Sequence, residues 1–318
     1  MIDVTLLGSG GSMPMPNRFL SSLLISYKGR KILIDCGEGT QVAMRSMNTG
    51  FKNIDMICIT HLHGDHIFGL PGLISTMRNS ERTEKIKIIG PEGTREVLKG
   101  LLSPITYMPF DLDIIESPQK TLRIAKSSIA LEVKEYEEPE SADMLLSTLM
   151  LEHSSPCLGY SFYLPRNPKF SVEKAELNKV PMEIWGRLQK GETVVHDNMT
   201  YEPHMVLGEK RRGIKVSFIS DTRPIEAIPD FIKESDLLIC EGTYGYDGDI
   251  EKAQRNKHMT FKEAAMLAKE GEVRELLLTH FSPSMDKPEI YRQNAADIFA
   301  DVIIGYDGYT KTISFQDR

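Results

Sequence analysis

The sequence predicts an α/β fold built on mixed sheets, and three observations predict it. Strand-like and helix-like runs alternate along most of the 318 residues. The strand-like runs are β-branched and Leu-rich and are bounded by Gly, Asp or Pro. One stretch, residues 112–134, holds three strand-like runs with little helix between them, which asks for an antiparallel part in a mixed sheet. Composition allows the core that such a fold needs, since 41% of residues are hydrophobic and 24 more are glycine, a normal apolar share for a globular protein. A charged fraction of 26% with both signs mixed, and no apolar run near the roughly 18 residues needed to cross a bilayer, exclude a disordered chain and a membrane span.

In chain order, strands are expected at Asp3–Leu7, Ser21–Ser26 and Lys31–Asp35, a helix at Glu38–Ser46 and a strand at Ile54–Thr60. A helix at Gly69–Arg78, a strand at Ile86–Ile89 and a helix at Gly93–Leu101 follow. Leu112–Glu116, Leu122–Ala125 and Ser128–Lys134 form the expected antiparallel stretch, and Leu145–Leu151 and Gly159–Leu164 read as two more strands. From Pro165 to Arg212 the apolar periodicity weakens, Pro165, Pro168, Pro181 and Pro203 interrupt it, and the only tryptophan, Trp185, lies inside. This segment reads as an insertion, about 165–212, in a single domain spanning 1–318. Beyond it come strand Ile214–Ser220, helix Pro224–Lys233, strand Leu237–Cys240, helix Phe261–Glu270, strand Glu275–Thr279, helix Glu289–Phe299 and strand Val302–Ile304. The helix at Phe261–Glu270 is the best marked, because Thr260 and Glu263 have capping-box spacing and Gly271 follows as a stop.

Charge and cysteines narrow the function classes. Lys plus Arg at 38 against Asp plus Glu at 45 gives a net charge of −7, which argues against a generally basic nucleic-acid coat while leaving room for a local basic patch. The four cysteines lie far apart and form no CxxC pair; three fall in or beside apolar strand-like runs, so buried thiols are expected. Met1-Ile2-Asp3-Val4 has no basic region followed by an apolar stretch, and a cytoplasmic location is expected.

The chemistry is concentrated in His61-Leu62-His63-Gly64-Asp65-His66, directly after the strand Ile54–Thr60. Three histidines and an aspartate in six residues supply imidazole nitrogens and a hard oxygen, the donor set of zinc or manganese. Extended geometry points His61 and His63 the same way, and Gly64 permits a turn that lets Asp65 and His66 face a second ion. Further candidate ligands stand where strands end: His153, Asp221 and His280. His196 and His204 lie in the insertion and read as surface residues.

The His61–His66 loop, the later His153, Ser220-Asp221-Thr222-Arg223 and Leu278-Thr279-His280-Phe281 together resemble the metallo-β-lactamase fold. More narrowly the chain resembles the ribonuclease Z family, endonucleases that remove 3′ trailers from precursor tRNA. Leu7-Gly8-Ser9-Gly10-Gly11, Asp35-Cys36-Gly37-Glu38-Gly39, Glu152-His153 through Gly159-Tyr160, Gly191-Glu192-Thr193 and His258-Met259-Thr260 extend the likeness nearly end to end. The resemblance implies a four-layer αββα sandwich of two mixed sheets, two zinc ions, a homodimer and hydrolysis of an RNA phosphodiester. It implies that His61, His63 and His153 hold one ion, that Asp65, His66 and His280 hold the other, and that Asp221 bridges them.

Two metal ions can acidify a water and bind a phosphate oxygen, and Asp65 is the candidate base for that water. The leaving 3′ oxygen needs a proton, for which His258 is the candidate acid. His258 precedes a capped helix, whose N-terminus disfavours imidazolium, so a carboxylate must offset it. Glu241, in Cys240-Glu241-Gly242-Thr243, matches the glutamate of the family's His-Glu-Ala-Thr motif and is expected to pair with His258.

The recognition segments depart from the family more than the chemistry does. Where the family commonly reads Pro-x-Lys-x-Arg-Asn, this chain reads Pro14-Met15-Pro16-Asn17-Arg18-Phe19, keeping Arg18 as a phosphate-binding candidate. Arg223 is a second candidate for substrate binding. The insertion corresponds to the family's tRNA-gripping arm and lacks its Pro-Pro-Gly-Pro run, but carries Arg166, Lys169, Lys174, Lys179, Arg187 and Lys190. Ser284-Met285 stands where the family often has Arg-Tyr. A hydrolase of small esters, or of another RNA, on the same centre is the alternative reading. A non-catalytic protein would be expected to lack a ligand, and none is missing; a redox di-iron site would want a carboxylate in place of His63.

Overall fold

The computed structural model describes residues 1–126, 131–136 and 143–316. Its first half runs β1 (Ile2–Gly8), β2 (Ser22–Tyr27), β3 (Arg30–Ile34), α1 (Thr40–Ser46), β4 (Ile54–Cys58), α2 (Gly64–Ile67), α3 (Leu70–Asn79), β5 (Ile86–Gly90), α4 (Thr94–Leu101) and β6 (Leu112–Glu116). Then come β7 (Leu122–Lys126), β8 (Leu131–Glu135), β9 (Met144–Leu151) and β10 (Cys157–Arg166), followed by the insertion with α5 (Val172–Leu177), α6 (Trp185–Gln189), β11 (Val194–His196) and β12 (Met199–Tyr201). The chain closes with β13 (Arg211–Ile219), α7 (Ala227–Ile232), β14 (Leu237–Glu241), α8 (Ile250–Asn256), α9 (Phe261–Glu270), β15 (Leu276–Thr279), α10 (Arg292–Ala296), β16 (Val302–Ile304) and β17 (Thr310–Ile313).

Two mixed sheets face each other. The first has the order β17-β1-β2-β3-β4-β5-β6 and the second β16-β15-β14-β13-β10-β9-β7-β8. In the first, β3 to β6 pair in parallel while β17, β1, β2 and β3 pair antiparallel. In the second, β13 to β16 are parallel and the remainder antiparallel. The period of two in the strands sorts their apolar side chains into layers. Val4 and Leu6 of β1, Met56 and Cys58 of β4, Ile239 of β14 and Leu277 of β15 pack between the sheets with Tyr160 and Phe162. The alternate residues Leu7 and Ile57 pack outward against α1 and α3, and Leu238, Cys240, Leu276 and Leu278 outward against α7, α9 and α10. Strands buried on both faces read as continuous apolar runs, which is why the sequence marks them so clearly. The result is the four-layer αββα sandwich.

Three expectations change. Leu112–Glu116 is not in the antiparallel stretch: α4 carries the chain over so that β6 pairs in parallel with β5, and only β7 and β8 form the antiparallel pair. Residues 128–130 of the expected strand Ser128–Lys134 lie outside the described residues. The expected helix Glu289–Phe299 begins as a 3-10 turn at Pro288–Tyr291 and is helical only over Arg292–Ala296. The insertion, irregular by sequence, builds its own small core from Ala175, Val180, Ile184, Leu188, Val194, Tyr201 and Val206. Trp185 joins it, donating its indole N–H to the carbonyl of Val180 at 2.9 Å. All four cysteines are buried free thiols, and burial pushes Cys36 up to about 12. No described helix is long and apolar enough to cross a membrane.

Candidate metal centre

Both sheets end their parallel strands at one edge, and the loops there carry every residue in question. His61 and His63 follow β4, His153 follows β9, Asp221 follows β13, Glu241 ends β14 and His280 follows β15. His63 caps α2 in extended conformation (φ −71°, ψ 153°), which places Asp65 and His66 in the first turn of that helix. Gly64 serves this turn by its size and not by left-handed backbone, since a Cβ there would lie 2.4 Å from the Phe68 ring.

Seven side chains converge. His63 Nδ1 stands 3.0 Å from His61 Nε2 and 3.3 Å from His153 Nε2. His66 Nε2 stands 3.3 Å from His280 Nε2, and the Asp65 carboxylate lies 3.5 Å and 3.4 Å from these two nitrogens. Asp221 lies between the groups and divides its oxygens: Oδ2 faces His61 at 3.6 Å and His153 at 3.9 Å, while Oδ1 faces His66 at 3.6 Å and His280 at 3.2 Å.

The outward nitrogens of His61, His66, His153 and His280 are each held, which aims their inward ones. His66 Nδ1 donates to Asp35 Oδ2 at 2.7 Å and His153 Nδ1 to the Lys257 carbonyl at 3.0 Å. Thr60 Oγ1 gives its proton to Asp35 at 2.8 Å and so accepts from His61 Nδ1 at 3.1 Å. Thr243 Oγ1 likewise donates to Glu241 at 2.6 Å and accepts from His280 Nδ1 at 3.0 Å. Four Nε2 atoms and one Nδ1 therefore point inward with two carboxylates, the donor set and outer hydrogen bonding of a divalent-cation site. Nothing in the sequence around Asp35 and Thr243 marks them as orienting residues; only these contacts reveal that role.

Electrostatics agree with a cation-seeking site. Burial, followed by the charge of His66, holds His61 well below the ordinary imidazole range, and burial also lowers His153. Burial acts against charge on His66 too, but Asp221 and Asp35 outweigh it and raise His66 well above that range. Burial would raise Asp65 and Asp221, yet the surrounding imidazoles hold both well below the usual carboxylate range.

The proton-donor candidates are also joined. His258 Nδ1 lies 3.1 Å from Glu241 Oε1, a fully buried carboxylate that also accepts the N–H groups of Thr222 at 2.7 Å and Met259 at 3.1 Å. Burial disfavours charge on His258, but Glu241 foremost and then Asp221 outweigh it and raise it to about 9. His258 is near enough to Asp221, at 3.9 Å, to be a ligand by distance alone. Its Nδ1 is committed to Glu241, which favours the donor role.

The N-terminal loop closes the site from one side. Ser12 N–H donates to Asp65 Oδ2 at 2.6 Å, and a Cβ at Gly11 would stand 2.4 Å from the His280 ring. Asp307 pins both ends of this loop, accepting Ser9 N–H at 2.9 Å and Phe19 N–H at 2.6 Å. His280 adopts a left-handed backbone (φ 59°), held by Gly242 N–H on the carbonyl before it and by Phe281 N–H on Ser9 after it. Arg18 extends over Phe281 and donates to the carbonyls of Met285 (3.0 Å) and Asp286 (3.1 Å). The two segments that depart from the family pattern thus meet each other through Arg18. Arg223 turns inward, its guanidinium on Glu263 and on the His258 carbonyl. His204 is exposed and His196 one-third exposed, both in the insertion and outside the convergent group.

Residues 2–205 match the family model described as anti-Pycsar protein Apyc1. Ribonuclease Z of Alkaliphilus oremlandii is 58% identical over 317 residues, covering all of both chains, and that of Clostridium perfringens is 56% identical over 99% of this chain and all of its own. The crystal structure of the short form of human tRNase Z aligns with a TM-score of 0.66 and 26% identity, over 98% of this chain and 100% of the other. The metallo-β-lactamase fold protein YhfI of Bacillus subtilis, 19% identical with a TM-score of 0.67 over 98% of each chain, shares the fold.

Proposed function

The chain belongs to the ribonuclease Z family and, over residues 2–205, to the family of the anti-Pycsar protein Apyc1; from that premise we propose that it is a metal-dependent endoribonuclease removing the 3′ trailer of precursor tRNA. The observation that supports this best is the division of the Asp221 oxygens between two groups of donors. In this reading His61, His63 and His153 hold one zinc ion, Asp65, His66 and His280 hold a second, and Asp221 serves both; manganese suits the same donors. When bound, the ions supply Lewis-acid stabilisation of phosphate charge and acidify water. Asp65 orients the attacking water and takes its proton. His258, kept charged by Glu241 through Nδ1, gives a proton from Nε2 to the departing 3′ oxygen. Arg18, within the Ser9–Phe19 loop, meets a substrate phosphate. The insertion, about 165–212, in a single domain of residues 1–318, serves as the arm that grips tRNA, the enzyme acts as a homodimer, and precursor tRNA as substrate places it in the cytoplasm.

The altered Pro14–Phe19 loop favours one second reading, the same centre acting on a small phosphodiester or another RNA. Zinc-loaded protein given a labelled precursor tRNA with a 3′ trailer, alongside bis(p-nitrophenyl) phosphate, separates the two. Cutting at the discriminator base is the expected result; hydrolysis of the small diester alone would overturn the tRNA assignment and leave the hydrolytic centre.

A further inference from the structure

We infer that Arg223 is a positioning residue for the proton donor, fixing the backbone of His258 so that its ring meets the leaving 3′ oxygen; this rests on the reading of His258 as the acid. His258 lies in a short link between α8 and α9, after Lys257, whose backbone is left-handed (φ 56°), and before the N-cap Thr260. Nothing in a helix ladder holds its carbonyl. Its N–H is tied to the Ala253 carbonyl at 2.8 Å and its ring to Glu241, and Arg223 Nη1 supplies the third constraint by donating to the His258 carbonyl.

The arginine is itself held on rigid parts. Nη1 and Nη2 take the two carboxylate oxygens of Glu263, Nη1 at 3.1 Å from Oε2. Glu263 Oε2 also accepts the Thr260 N–H at 2.9 Å, so one carboxylate both caps α9 and carries the fork. Arg223 N–H donates to the carbonyl of Glu152 at 3.0 Å, the residue before His153. One residue therefore joins the loops of His153, Asp221 and His258. The planar fork makes this arrangement specific to arginine, since lysine offers a point charge that cannot span a carboxylate and a carbonyl together. With its charge met by a carboxylate only 17% exposed, the guanidinium is engaged inside the protein and not presented to a phosphate.

The leaving group provides the test. An RNA 3′ oxygen departs as a strongly basic alkoxide unless it is protonated, whereas p-nitrophenolate departs as a stable anion and gains little from an acid. Zinc-loaded full-length Arg223→Gln, Arg223→Lys, Glu263→Gln and His258→Ala are compared on precursor tRNA and on bis(p-nitrophenyl) phosphate, with bound zinc counted in each. Arg223→Gln should lower the ratio of the two kcat values by about tenfold, part of the 10²–10⁴ that an acid supplies, with KM for precursor tRNA and bound zinc preserved. Glu263→Gln should move the ratio the same way, Arg223→Lys less, and His258→Ala more. Equal losses on both substrates, or a raised KM with unchanged kcat as for a direct phosphate contact, would overturn the inference. If Arg223→Gln does not fold, Glu263→Gln decides by the same ratio. Should His258→Ala itself slow both substrates equally, the acid assignment falls and this inference with it; an Arg223 failure beside a selective His258→Ala overturns only the inference.

Discussion

At the residue scale, the centre depends on small differences in what each ring or carboxylate touches. Asp65 faces His66 and His280 and accepts Ser12 N–H, so it is held ionised and aimed by three donors. Asp65→Asn keeps the shape and removes both the charge and the basicity. Turnover of precursor tRNA should fall by at least about 100-fold, the usual scale for loss of an acid-base group, as measured in single-turnover cleavage. Among the described residues Glu241 is the only carboxylate in hydrogen-bond contact with His258, and it is the foremost of the charges that raise that histidine to about 9. In the proposed mechanism the charged form is the donor, so the rate should fall as pH rises through the folded-state value. Glu241→Gln removes the raising charge, so the alkaline limb of the rate profile should move to lower pH; a limb that stays in place would show that the pairing does not set the acid.

At the scale of single elements, α9 shows how fully local signals can specify structure. The helix spans Phe261–Glu270, with Thr260 Oγ1 accepting Glu263 N–H at 3.2 Å and Gly271 at its end, as the capping-box spacing and the glycine predict. Thr260→Ala should cost about 1 kcal/mol of stability through the lost cap, read as a lower denaturation midpoint with an unchanged m-value. Elements without such signals owe their conformation to their neighbours. β17, Thr-Lys-Thr-Ile at Thr310–Ile313, carries one buried apolar residue and is a strand because β1 offers it an edge. The helices and hairpin of the insertion are short and proline-interrupted, and their small core forms only when Phe170, Trp185 and Val206 come together across the segment.

At the scale of the whole molecule, the donors of the centre come from loops of two sheets, from His61 to His280, so metal binding ties the halves together. Zinc should raise the unfolding temperature, and a chelator should lower it, because the assembled site exists only in the folded chain. Binding must also displace the proton that Asp221 and Asp35 hold on His66 above the ordinary imidazole range. Apparent zinc affinity should therefore keep rising as pH goes above the ordinary imidazole value, as measured by chelator competition. Affinity that levels off near the ordinary imidazole value would contradict the raised His66.

Composition and periodicity alone were enough to establish the α/β class, since strands buried on both faces must be apolar throughout and the helices between them amphipathic. The donor types were equally legible, because His61, His63, Asp65 and His66 are adjacent in the chain and zinc chemistry restricts what such a cluster can be. Tertiary structure alone decided what depends on contacts between distant residues. Asp35 and Thr243 gained their roles from orienting His66 and His280, and Arg223 turned from the substrate side toward Glu263 and His258. The pairing of β6 in parallel with β5, and not with β7, was likewise settled by the α4 crossover. Local sequence encodes which side chains can ligate or bury; the directions of lone pairs and guanidinium forks are set only when the strand ends are brought to one edge.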